Sequence, residues 1–222
     1  MKRIGYLGDI HAEDERLEIA LHEISKQSVD SIISVGDIVD GPGDLERCVV
    51  LLRDYDVSGV RGNHERWFLS DQVRELPDAH ERHQVSTEAG EWLAALPAMI
   101  ELPTVAGKLL VCHGLGANDM ASIKPWDDLS LVRYNKDFRN LCHVSSAKFI
   151  LNGHSHMRMV RAAEDRVIIN AGALCRDHEQ SFGIIDFEAE QVHVWIFNPD
   201  LSLQALPPIP FEVPSPVTRR QR

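Results

Sequence analysis

Cysteine is scarce and never clustered. The four copies, Cys48, Cys112, Cys142 and Cys175, show no CxxC spacing, which excludes a zinc knuckle or a small disulfide framework built on them. They read as reduced thiols of a cytoplasmic protein. Long apolar runs are missing too: no stretch approaches the roughly 18 residues of a membrane-spanning helix. The start, Met1-Lys-Arg-Ile-Gly-Tyr-Leu7, is basic, but Asp9 and His11 arrive before the apolar region of a secretory signal can form. Positive charge is in deficit, with 23 Lys and Arg against 34 Asp and Glu, a formal net of −11. Such a surface repels nucleic acid and anionic membrane, so neither is an expected bulk partner. A local metal cluster could still draw phosphate to it. There is no internal repeat, and Gly41-Pro42-Gly43 lacks the Gly-Lys-Ser/Thr that would make it a P-loop.

What remains is an ordinary globular chain of 222 residues, 44% hydrophobic and 26% charged. That length predicts one domain, over residues 1–198, with a proline-rich tail over 199–222 laid on the surface. Apolar runs predict strands at Arg3 to Leu7, Ser31 to Val35, Val57 to Val60, Lys108 to Val111 and Phe149 to Asn152. Helical spacing of Leu17, Ala20, Leu21 and Ile24 predicts a helix from Glu13 to Lys26. A second is expected over Leu45 to Leu52, capped by Asp44. Others are expected over Thr87 to Leu96 and Lys136 to Val144. Trp67 to Gln84 shows no clean period and is expected on the surface, and Gly116 to Leu129 as a long loop. The last third reads as strands alone: Val167 to Asn170, Phe182 to Asp186 and Val192 to Phe197.

One pattern carries chemistry. Five predicted strands each run into residues of metal-ligand type. These are Asp9 and His11, then Asp37, then Asn63 and His64, then His113, then His154 and His156. A largely parallel sheet gathers the carboxyl ends of its strands at one edge, so these side chains could converge. Glycines at 8, 36, 62, 114 and 153 stand beside nearly all of them, where the backbone must turn sharply.

The ordered blocks Gly8-Asp9-Ile10-His11, Gly36-Asp37-Ile38-Val39-Asp40, Gly62-Asn63-His64-Glu65, His113 and Gly153-His154-Ser155-His156 resemble those of the calcineurin-like metallophosphoesterases. The nearest likeness is to the small bacterial and archaeal phosphodiesterases. Asn170-Ala-Gly-Ala173 is similar to their Asn-Pro-Gly-Ser segment. The resemblance implies an α/β fold, a four-layer αββα sandwich of two mixed sheets flanked by helices. It implies two divalent transition-metal ions, manganese, iron, nickel, zinc or cobalt, which suit this donor set. Asp9, His11, Asp37 and His156 would hold the first. Asp37 would bridge to the second, completed by Asn63, His113 and His154. A hydroxide between the ions would attack phosphorus in line. His64 would serve the leaving-group oxygen, oriented and kept protonated by Asp40.

The departures narrow the substrate. Asp40 is followed by Gly41 where many protein phosphatases of this superfamily carry a phosphate-binding arginine. Arg61, Lys124 and Trp126 are the candidate substrate contacts, with Arg66, Arg133 and Arg176 behind them. An aromatic beside a cation could hold a base and a phosphate. The expected activity is phosphoester hydrolysis of a small phosphorylated substrate, with a phosphodiesterase favoured. Dinucleoside polyphosphate or monoester hydrolysis is the alternative. A non-enzymatic metal-binding interaction subunit competes less well, because such relatives lose a ligand or the histidine and this chain keeps all eight. Homo-oligomer formation stays open.

Overall fold

The computed structural model describes residues 1–212. The chain runs β1 (Arg3–Leu7), α1 (Asp14–Ser25), β2 (Ser31–Ser34), α2 (Leu45–Asp54), β3 (Ser58–Gly59), α3 (Asn63–Ser70) and α4 (Thr87–Ala95). It continues β4 (Met99–Thr104), β5 (Gly107–Cys112), α5 (Leu129–Val132), α6 (Lys136–Val144), β6 (Phe149–Asn152), β7 (Met159–Ala163) and β8 (Arg166–Asn170). The last elements are β9 (Ser181–Asp186), β10 (Gln191–Phe197), β11 (Leu203–Ala205) and β12 (Ile209–Pro210). One sheet has the order β11-β10-β9-β1-β2-β3, with β12 also on β10; the other has the order β4-β5-β6-β8-β7. Both are mixed. β1, β2 and β3 are parallel, as are β5, β6 and β8, while β9, β4 and β7 pair antiparallel to them.

Side-chain alternation along these strands makes the four layers. Leu109, Val111, Phe149, Leu151, Val167 and Ile169 face Ile4, Tyr6, Ile33 and Val35 of the first sheet, a core between the two sheets. Their neighbours Leu110, Cys112, Ile150 and Ile168 point the other way, onto Phe138 and Leu141 of α6. Leu17, Leu21 and Ile24 of α1 and Cys48, Val49 and Leu52 of α2 cover the outer face of the first sheet. This is the period of two expected of strands buried on both faces. Asp44 caps α2, its carboxylate accepting from Arg47 N at 3.0 Å. Among the described residues no helix is long and apolar enough to cross a membrane.

Several elements depart from expectation. The strand expected over Val57 to Val60 is only Ser58–Gly59, and Asn63 and His64 beyond it open α3, which runs on through Trp67 and buries Phe68, so the expected surface segment begins only after it. β4 and β7 are additional strands. The expected boundary at 198 does not separate a tail within the described residues. β11 and β12 both pair with β10, and Phe211, 6% exposed, packs against Phe149 and Phe187 between the sheets. Burying that ring is worth about 1.5–3 kcal/mol, enough to bind a short segment to the sheet. Residues 213–222 of the expected tail lie outside the described residues.

Candidate metal and active site

The parallel strands of both sheets end on one edge, and the site straddles the seam there. His113, just past β5, sends Nδ1 across to the carbonyl of Val35, just past β2, at 2.8 Å. That bond fixes its Nε2 toward the first sheet's residues. Gly153 N donates to the His113 carbonyl at 2.8 Å, drawing the loop after β6 into the same place. Close approach explains two glycines: a Cβ at Gly62 would collide with Asp37 Oδ1, and one at Gly153 with Asp9 Oδ1. His11, Asp37, His154 and His156 adopt φ of 48°, 48°, 64° and 56°, a left-handed backbone that side-chain-bearing residues rarely take and that concentrates at functional sites.

The seven residues singled out as ligands meet in two groups that share Asp37. His11, Asp37 and His156 bring one donor atom each within 4.8 Å of one another, as do Asp37, His113 and His154. His11 Nε2 and His156 Nε2 face each other at 3.1 Å, and Asp9 Oδ2 lies 3.2 Å from the latter. On the other side Asn63 Oδ1 is 3.0 Å from both His113 Nε2 and His154 Nδ1, and Asp37 Oδ2 is 3.1 Å from His113 Nε2. Asp9 is wholly buried, and both its carboxylate oxygens lack a hydrogen-bond partner. A buried carboxylate is costly unless a cation meets it. With imidazoles and an amide oxygen around it, this donor set fits a borderline divalent ion.

Electrostatics follow the same geometry. Burial, reinforced by the Asp37 charge, pushes Asp9 up to about 8. Asp37 is equally buried, but the charge and hydrogen bond of His113 outweigh burial and hold its carboxyl well below the usual range. Burial opposes the His113 cation, yet the Asp37 charge raises it to about 10. His156, desolvated and beside His11, falls to about 3, ready to offer a lone pair.

His64 stands apart from both groups. Its Nδ1 is 2.8 Å from Asp40 Oδ2, and its ring meets that of His11 edge-on at 4.7 Å. Burial lowers its basicity, but the Asp40 bond and the Asp37 charge raise it overall. Its backbone N–H donates to Asp37 Oδ1 at 2.9 Å, so opening α3 here orients the shared carboxylate as well. Asp40 is held at about 2, burial being overcome by His64 and Arg74.

Four supporting residues carried no role in the sequence. Glu65, fully buried, accepts from the amides of Asp37, Ile38, Val39 and Gly62 at 2.6–3.1 Å and ties two ligand loops together. Its place three residues past the helix cap was the available signal. Glu13 is buried against Arg16 and Arg176. His178 sets its ring edge-on to His156 at 4.4 Å. Neither they nor Arg74 had a sequence signal.

The substrate candidates divide. Arg61 and Arg66 line a cavity of about 150 Å³ with His113 and Asp119, beside the donor cluster. Arg66 is bound there by Asp119 at 2.6 and 2.9 Å, and Arg176 is bound by Glu13. Lys124 Nζ stands 5.8 Å from the ring of Trp126, which is 68% exposed; among the described residues no hydrogen bond joins either to the cluster. Arg133 lies over Tyr134 and pairs with Glu164, also without such a bond.

The family profile of the calcineurin-like phosphoesterase superfamily domain matches residues 1–190. An uncharacterized protein of Methanocaldococcus jannaschii is 25% identical over 186 residues, covering 81% of this chain and 72% of that one. Serine/threonine-protein phosphatase 1 of Salmonella typhimurium is 32% identical over 101 residues, 44% of this chain and 43% of that phosphatase. A metallophosphoesterase from Sphaerobacter thermophilus has the same fold, with a TM-score of 0.70 at 22% identity over 88% of each chain.

Proposed function

From the premise that the chain belongs to the calcineurin-like phosphoesterase superfamily, we propose that it is a phosphodiesterase working on a small substrate, with Asp9, His11, Asp37, Asn63, His113, His154 and His156 holding two divalent ions. The observation that carries the metal reading is Asp9, buried with both oxygens unmet and facing two imidazoles. Divalent ions bound there would supply Lewis acidity at the phosphoryl group and an acidified water. The chain's own contribution is orientation and proton transfer. Asp40 holds His64 Nδ1, which leaves Nε2 as the free donor toward a leaving-group oxygen. An edge-on contact with His11 and a tilted one with Trp67, at 4.7 and 4.8 Å between ring centroids, fix the plane of that imidazole.

Charge favours a diester. A phosphate monoester carries about −1.5 to −2 at neutral pH, and a diester carries only one negative charge. Around the site Arg66, Arg74 and Arg176 are each paired with a carboxylate, and Arg61 is the guanidinium lining the cavity that has no such pair among the described residues. Beyond the two ions the side chains therefore offer one cation, which suits a monoanion better than a dianion. With Mn²⁺ restored to stripped protein, bis(4-nitrophenyl) phosphate should show kcat/KM about tenfold or more above 4-nitrophenyl phosphate, a difference of about 1.4 kcal/mol in the transition state. The reverse order would reject the diester reading, and selective cleavage of diadenosine tetraphosphate would replace it with pyrophosphate-bond hydrolysis.

A further inference from the structure

We propose that Arg74, in the connection between α3 and α4, is a positioning residue that acts on the reaction through Asp40 and His64. This rests on the reading of His64 as the group serving the leaving oxygen. Arg74 grips the Asp40 carboxylate with a two-pronged fork, Nη1 to Oδ1 at 2.8 Å and Nη2 to Oδ2 at 2.9 Å. The same carboxylate accepts from His80 N at 2.9 Å and from His64 Nδ1 at 2.8 Å. Asp40 returns the contact, its own N–H donating to His80 Nδ1 at 3.1 Å, and Gly41 N donates to the Asp78 carbonyl at 3.0 Å. Arg74 Nη1 also holds the His80 carbonyl at 3.0 Å, and its Nε the Gln72 carbonyl at 2.9 Å. Thus residues 72–80 form a strap over the Asp40 turn, and Arg74 is its inward pin.

The backbone agrees with a segment held against its own preference. Val73, directly before Arg74, has φ 53°, an outlier for a β-branched residue that persists only where surroundings impose it. Arg74 itself is only 10% exposed at the side chain. Without Arg74 the carboxylate would keep His64 on Oδ2 and the His80 N–H on Oδ1, but that N–H belongs to the strap that Arg74 itself pins through the His80 carbonyl. A planar guanidinium bonded to both oxygens sets the carboxylate plane, and with it the direction in which Oδ2 meets His64. The imidazole is thereby aimed before substrate arrives. Lysine, a point charge, can hold one oxygen but cannot set that plane.

The test uses the Mn²⁺-loaded full chain and two diesters, one with an unactivated alkoxide leaving group and one with a nitrophenolate. Arg74→Ala should keep the parent's metal content and lose about 10–100-fold in kcat on the alkoxide ester, the cost of a misaimed catalytic group. The nitrophenyl ester should suffer much less, and KM should barely move. His64→Ala should lose about 10²–10⁴-fold on the alkoxide ester, and adding Arg74→Ala to it should cost nothing more, because the two act in one chain. Added guanidinium ion, below denaturing concentration, should restore part of the Arg74→Ala activity and none of the His64→Ala activity. Should Arg74→Ala fail to fold, Arg74→Lys must show the same leaving-group-dependent loss, with a smaller size. Parent-like kcat in the Arg74 variants beside a defective His64→Ala overturns the role of Arg74 alone, as do additive losses, or losses equal on both esters. Parent-like activity of His64→Ala on both esters overturns the reading of His64, and the positioning role with it.

Discussion

Replacing Glu65 by Gln changes one oxygen for an NH₂ group, and the structure says what that must cost. Oε1 accepts from Ile38 N at 2.6 Å and Val39 N at 3.1 Å, and Oε2 from Asp37 N at 2.9 Å and Gly62 N at 2.6 Å. With two donors on each oxygen, neither has room for a proton. Whichever way a glutamine turns, its NH₂ faces two backbone N–H groups. Two hydrogen bonds to a charged acceptor are lost, at about 1.5–3 kcal/mol each. One effect opposes this loss. Burial and the Asp37 charge push Glu65 above the ordinary carboxylate range, so removing its charge returns part of the desolvation cost. A net loss of about 2–4 kcal/mol is expected. For a chain of this size each kcal/mol moves Tm by about 2–4 °C, so metal-free Glu65→Gln should melt about 5–15 °C below the parent. Hydrogen exchange at the amides of residues 37–39 should quicken in step. Glu65→Ala, which leaves all four donors without an acceptor, should fall further. A Glu65→Gln melting point within about 2 °C of the parent would refute the claim that these four bonds hold the two loops together.

On the proposed metal reading an ion would bind only where Asp9, Asp37 and the histidines already converge, and so should stabilise the fold. At a hundred times Kd, Mn²⁺ should add about 2.7 kcal/mol, read as a rise in Tm that chelator reverses. Asp37→Asn, at the residue common to both donor groups, should abolish that rise and lower the metal content of both positions; two normally bound ions in that variant would reject the shared role. Phe211→Ala should cost about 3–5 kcal/mol by chemical denaturation, the usual price of a large buried ring, because the ring is 6% exposed between the sheets. A parent-like midpoint would mean that the segment after β10 adds nothing to the core.

Most of the strands that carry the site were legible because they are buried on both faces, and a run such as Phe149-Ile-Leu or Ser31-Ile-Ile needs no alternation to be seen; β3, two residues long and not buried, is the exception. Edge strands lack that signal. β4 is only partly buried along its length and contains Pro103, which sequence patterns count against a strand. β7 carries Arg161 and is partly exposed at its middle. α3 escaped for a different reason: two of the three residues it buries are Asn63 and Glu65. A helix whose inward face is polar has no hydrophobic period to read, and it can have such a face only because the other polar groups of the site receive it. The composition shift after residue 198 pointed to a tail, but composition does not register a single ring. Phe211 finds its partners at Phe149 and Phe187, and those are invisible until the sheets are stacked.

The donor residues themselves were readable for a reason of topology. Each lies one to four residues past the end of a strand, so its position in space is set by sheet order, and the glycines beside them marked where chains come too close for a Cβ. The supporting groups follow no strand. Glu65 lies 26–28 residues from the amides of 37–39 that it holds, and Arg74 lies 34 from Asp40. Nothing near Arg74 in the chain distinguishes it from a surface arginine. Its partner is chosen by the path of the strap, and that path is set by three-dimensional contacts such as Gly41 N to the Asp78 carbonyl. The groups proposed to hold metal and meet the substrate are therefore announced locally, by glycine and strand end. Groups that aim them become visible only when the loops are closed, and for that reason the leaving-group dependence of an Arg74 variant tests something that the motif pattern alone does not contain.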